Sequence, residues 1–106
     1  MSDVKSGGRN GVTGAQLRGG RGLLNMSVID LAERTGLALN TIRKAEATND
    51  DVPINAANAR LIVTKLEAAG IIFLPAGEFG VGVMLRERNP TPLERRRKRE
   101  PKPGSE

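Results

Sequence analysis

Residues of one character recur at helical intervals through the first two thirds of the chain, and the pattern then changes to alternation. Leu17, Gly20, Arg21 and Leu24 stand at helical spacing and predict a first helix over 14–24, with Thr13 as its N-cap. The run GGRG at 19–22 weakens it. Each glycine inside a helix costs roughly 1 kcal/mol relative to alanine. This helix must therefore be held by packing, with a neighbour pressed against the glycines. Ser27-Val28-Ile29-Asp30 has the form of a capping box and opens a second helix over 28–35. Its apolar side is Leu31 and Ala32, helped by Val28. Gly36 stands where a left-handed residue ends a helix, and Leu37 is the buried residue of the following turn. A third helix spans about 39–47, with Ile42 and Ala45 inward and Asn40, Thr41, Arg43 and Lys44 outward. ATNDDVP (47–53) is a polar loop closed by a proline. Asn55 caps a fourth helix over 56–69, with Ala59, Ile62, Val63 and Leu66 inward, and Gly70 terminates it.

From residue 71 the period changes. In IIFLPAGEFGVGVML, Ile71–Leu74 and Val81–Arg86 read as two short strands around a Pro/Gly loop. Val81, Val83 and Leu85 fall on one face, Gly82 and Met84 on the other. An isolated hairpin is marginal in water, so this one packs on the fourth helix or pairs with another chain. We expect it at a dimer interface, forming an intersubunit sheet. The polar, glycine-rich residues 1–12 and the proline-containing residues 87–106 are expected to be disordered arms. The expected organisation is therefore one domain, 13–86, between an N-terminal arm, 1–12, and a basic tail, 87–106.

Composition narrows the chemistry. The chain has 106 residues, no cysteine and no histidine. Disulfides and cysteine-containing zinc sites are thus excluded, and the commonest metal ligand and general base are missing. No carboxylates are paired in a recognisable catalytic arrangement, so no enzyme activity, cofactor or metal is expected. Only Phe73 and Phe79 are aromatic, so the core must be built from Leu, Ile, Val and Ala. No apolar run approaches the ~20 residues of a membrane span, and MSDVKSGGRNGV lacks the apolar segment of a secretory signal. A soluble, cytoplasmic protein is expected. The net charge is +5, which favours an anionic partner, most simply nucleic acid. Residues 87–106 hold +3 of it, with the run RRRKR at 95–99.

The stretch SVIDLAERTGLALNTIRKAEA (27–47) resembles the helix-turn-helix proteins of the phage-repressor and Cro-like group, the Xre-type regulators. Ser27, Asp30, Leu31, Ala32, Gly36, Leu37, Thr41, Ile42, Ala45 and Glu46 carry the likeness. TGAQLRGGRGLLNMS (13–27) and LEAAGIIFLPAGEFGVGVMLR (66–86) resemble the beginning and end of a small single-domain bacterial subgroup. The resemblance implies a mainly α domain of four to five helices with a short C-terminal β-hairpin. It also implies a sequence-specific transcriptional regulator, a repressor, that binds palindromic double-stranded DNA as a homodimer. The third helix would enter the major groove.

Position by position, the resemblance makes Leu39, Asn40 and Lys44 candidates for base edges. Asn40 suits adenine, Lys44 guanine and Leu39 a thymine methyl. Thr41 and Arg43 are candidates for phosphate, Arg43 also for guanine, and the backbone at Ser27–Ile29 for phosphate. Three positions depart from the family pattern. Val28 stands where a DNA-contacting glutamine is common, Ala38 replaces the usual Ser or Thr cap at a cost of about 1 kcal/mol, and Leu39 offers only apolar contact. An alternative of another class is therefore a protein-binding module on the same fold, an antiactivator or antitoxin, using Val28 and Leu39. RNA binding through the tail is weaker, because no aromatic stacking platform exists.

Overall fold

The computed structural model describes residues 10–88. Among them run α1 (Gly14–Leu24), α2 (Val28–Thr35), α3 (Leu39–Glu46), α4 (Ala56–Ala68), β1 (Ile71–Leu74) and β2 (Gly82–Leu85). The fold is mainly helical, with a two-stranded antiparallel hairpin after the helices. Residues 1–9 of the expected N-terminal arm, and 89–106 of the expected tail with the RRRKR run, lie outside the described residues.

Each helix begins and ends for local reasons. Thr13 and Gln16 form a complete capping box: the Gln16 amide donates to Thr13 Oγ1 and the Thr13 amide donates to Gln16 Oε1. Asn25, in the left-handed region at φ 56°, closes α1. At α2 half of the expected box forms. The Asp30 amide donates to Ser27 Oγ at 2.9 Å. The Asp30 carboxylate turns instead to Arg34 Nε, 3.1 Å away, across one helical turn. Asn55 accepts from the Asn58 amide and caps α4. The Ala38 side chain supplies no cap to α3.

Leu17, Leu31, Ile42, Ile62, Leu66, Ile71 and Val52 are fully buried and form the centre of the core. Between α2 and α3, Leu31 and Ile42 are inaccessible to solvent, and Leu37, expected to be buried in the turn, is half-buried against the core. The glycines of α1 find the neighbour that their cost requires, and it is the hairpin. A Cβ at Gly19 would lie 3.1 Å from Val83 Cγ2, and one at Gly20 would lie 3.5 Å from Ile71. The hairpin register pairs Ile71 with Leu85, Ile72 with Met84, Phe73 with Val83 and Leu74 with Gly82. Ile71, Phe73, Val83 and Leu85 face the core. Val81, expected to share a face with Val83 and Leu85, lies outside β2 and is exposed, because the alternation begins only at Gly82. The buried Gln16 amide ties the two strands to α1, donating from Nε2 to the carbonyls of Leu74 and Gly82 at 3.0 Å each.

Residues 10–12 do not belong to a mobile arm. Val12 is buried, and its carbonyl accepts from the Val52 amide at 3.0 Å. Asn10 Nδ2 donates to the carbonyls of Val52 and Ile54, while the Asp51 carboxylate accepts from the amides of Asn10 and Gly11. Val12 and Val52 are both buried in the core, and the Asn10 and Asp51 side chains bond to the backbone of the opposite segment.

α1 lies against the end of α3 so closely that a Cβ at Gly14 would sit 2.2 Å from the Thr48 carbonyl oxygen and 2.7 Å from that of Ala45. A Cβ at Gly22 would meet nothing within 4 Å. Gly14→Ala is therefore expected to lower the unfolding free energy by about 3 kcal/mol through overpacking. Gly22→Ala is expected to raise it by about 0.5–1 kcal/mol through reduced backbone freedom in the unfolded chain. Urea denaturation of the two variants checks both signs.

Candidate nucleic-acid interface

The turn between α2 and α3 is built from side-chain and backbone bonds together. Thr35 Oγ1 donates to the carbonyls of Leu31 and Ala32 and accepts from the Leu37 amide at 3.2 Å. The chain then reverses at Gly36, φ 79°, whose amide reaches the Ala32 carbonyl at 2.8 Å. That conformation favours glycine. The threonine hydroxyl satisfies groups that the helix end would otherwise leave open. Small Ala32, 9% exposed, lets α3 come close to α2.

α3 divides sharply into two sides. Ile42, Ala45 and Glu46 are buried. Asn40, Arg43 and Lys44 are exposed, and Thr41 is half-buried beside them. The outer side therefore carries an amide, a hydroxyl, a guanidinium and an ammonium. At the start of α2, Ser27 is exposed with its hydroxyl engaged by the Asp30 amide, and Ile29 is 58% exposed. Val28 and Leu39 are half-buried and pack against the core. The expected site residues thus fall into two groups: Ser27, Asn40, Thr41, Arg43 and Lys44 share the outer surface of the helix pair, while Val28 and Leu39 spend much of their surface on the inside.

Two arginines of α1 position this surface, and residue patterning passes over both. Arg21 Nε and Nη2 each lie 2.7 Å from a Glu46 carboxylate oxygen, a fork-to-fork pair. Arg21 Nη1 also donates to the Met26 carbonyl at 2.9 Å. The Glu46 side chain is 7% exposed and that of Arg21 18%. The hydrogen bond to Glu46 raises the Arg21 pKa above its ordinary value, outweighing the lowering by burial. Arg18 donates to the carbonyls of Glu46 and Thr48 and to Asn49 Oδ1. A cation at the C-terminus of α3 both satisfies its last carbonyls and complements the helix dipole. The signal for the ion pair was present in the pattern. Arg21 stands in line with Leu17 and Leu24, and Glu46 follows inward-facing Ala45, so both charges fall on buried helix faces.

No protein-family model matches the chain, and no curated protein matches it. Among the described residues no helix is long and apolar enough to cross a membrane.

Removing one member of a largely buried ion pair strands the other. Arg21→Ala is expected to cost about 3–5 kcal/mol, because Glu46 is left buried without its partner. Replacing both by apolar residues of similar size, Arg21→Met with Glu46→Leu, is expected to recover most of the loss. Equilibrium unfolding of the single and double variants provides the comparison. A double variant as unstable as Arg21→Ala alone would show that the pair does not act as a unit.

Proposed function

We propose that this chain is a sequence-specific DNA-binding transcriptional regulator of the Xre type, a repressor that occupies a palindromic operator as a dimer. The observation that carries the reading is the division of α3. Its inner side is locked into the core, and its outer side presents Asn40, Thr41, Arg43 and Lys44 together. A helix of this kind, held clear of the core by a short turn, fits a major groove about 12 Å wide. Asn40 pairs with an adenine edge and Lys44 with guanine, while Arg43 and Thr41 hold the backbone. The start of α2 directs its first amides and the Ser27 region to phosphate. Its place is the cytoplasm, on the nucleoid. The chemistry is binding alone: the protein covers a promoter and transforms no substrate.

The competing view, a protein-binding module, drew on Val28 and Leu39 as apolar groups free for a partner. Both pack against the core of the chain itself, so that motive weakens.

The test uses the full chain and the DNA upstream of its own reading frame, titrated with salt. Each good base contact contributes about 1–3 kcal/mol of discrimination. The double variant Asn40→Ala with Lys44→Ala is therefore expected to lose at least about 30-fold in specific affinity while keeping its fold by circular dichroism. Its residual binding should remain salt-dependent and indifferent to sequence. A double variant that discriminates between sequences as well as the parent rules out base reading by α3.

A further inference from the structure

The hairpin spends only one of its faces on the core. The other face carries Ile72, Leu74 and Met84 around Gly82, and its tip carries Phe79 and Val81. Leu74 is 38% exposed, Val81 42%, Met84 47% and Phe79 78%. These are four of the six large hydrophobic residues exposed among the described residues, and all lie within one 15-residue segment. On the strands the apolar side chains of this face are neighbours. Ile72 pairs with Met84, Leu74 pairs with Gly82, and a Cβ at Gly82 would touch Leu74 Cδ1 at 3.7 Å. Both strands are edge strands, since the described sheet has only these two.

We propose that this outer hairpin face is where a second copy of the chain docks. Three observations select that occupant. The first is charge. The chain carries +5, yet residues 71–85 hold a single charged side chain, Glu78. Two copies can meet here with no charge but that of Glu78 to desolvate, whereas DNA finds no cation among these residues. The second is area. With roughly 200 Å² for a large exposed side chain, the four fractions leave on the order of 400 Å² of apolar surface. An interface is about 60% apolar. The patch therefore supports about 650 Å² per copy, or roughly 1,300 Å² in total, within the range of specific interfaces. The third is symmetry. A hairpin with open edges and a uniform apolar face is its own complement about a two-fold axis, which a self-pairing surface requires. The inference rests on the reading of α3 as one half of a two-fold DNA-binding unit, and it names the surface that joins the halves.

Deleting the hairpin would remove Ile71, Phe73 and Val83 from the core, so surface charge is the cleaner perturbation. In an isologous interface each substitution acts twice, because the same position is buried on both copies. Sedimentation equilibrium of the full chain, without DNA, is expected to give twice the 11.3 kDa monomer mass at tens of micromolar. Met84→Glu and Phe79→Glu, each at an exposed position, are expected to raise the dimer dissociation constant by about 100-fold with an unchanged circular dichroism spectrum. Ile29→Glu, on α2, should leave the dimer intact. A parent chain that is monomeric at every concentration overturns the proposal, as does a dimer that survives both hairpin variants or yields to Ile29→Glu alone. The measurement stands apart from DNA binding. A hairpin dimer that selects no DNA sequence would remove the regulatory reading and keep the interface, and a monomer that binds a specific half-site would do the reverse.

Discussion

The ion pair between Arg21 and Glu46 is the constraint on which the arrangement of the helices depends. α3 has eight residues and no side-chain cap at its start. A helix of that length does not hold itself together in water, so its existence and orientation must come from its neighbours. Apolar packing through Ile42 and Ala45 places it against the core, but apolar contacts are non-directional. The carboxylate fork at its last residue fixes how it is turned. Arg18 reinforces that end through the carbonyls of Glu46 and Thr48, and Gly14 allows α1 to come within reach of both. Burying two charges costs several kcal/mol per ion before their attraction repays it. Here three of the guanidinium's five N–H groups are answered, by two carboxylate oxygens and by the Met26 carbonyl. The pair thus serves orientation more than stability.

That orientation decides what the outer surface can do. With Glu46 and Ile42 turned inward, Asn40, Arg43 and Lys44 have no alternative to solvent or a partner. Val28 and Leu39 border this surface while contributing to the core. The resulting interface is small, polar and cationic, with apolar side chains at its margins. On the proposed reading, a single eight-residue helix offers few base contacts, and a two-fold assembly would double them. The exposed surface of α3 and that of the hairpin differ in character: α3 presents Asn40, Arg43 and Lys44, whereas the hairpin exposes apolar side chains and Glu78 is the sole charged residue between Ile71 and Leu85.

Much of this was legible in the residue pattern, for physical reasons. The helix limits followed from Thr13, Ser27, Gly36, Asn55 and Gly70, residues whose local bonding or backbone freedom marks an end whatever surrounds it. The change from helical spacing to alternation at Ile71 marked the hairpin. What escaped were interactions between segments distant in sequence. Val12 and Val52 look like residues of polar linkers, but both are buried in the core and a backbone hydrogen bond joins them. Gln16 looks like a solvated side chain but is buried, bonded to Thr13 on one side and to both strands on the other. Arg21 stands in line with Leu17 and Leu24, but its partner Glu46 is 25 residues away, so the pairing became clear only with α3 in place. The candidate site shows the same limit. The outward set on α3 could be derived from its period, whereas the half-buried state of Val28 and Leu39 depends on packing that no local pattern encodes.

The most direct test of the central claim is selection of binding sites from a pool of random-sequence duplex DNA by the full chain. If α3 reads bases as one half of a two-fold unit, the enriched sequences will converge on an inverted repeat with half-sites about one helical turn, roughly 10 base pairs, apart. A pool that is retained in low salt yet shows no enrichment of any sequence would contradict the account, because phosphate attraction alone would then explain all binding by this basic chain.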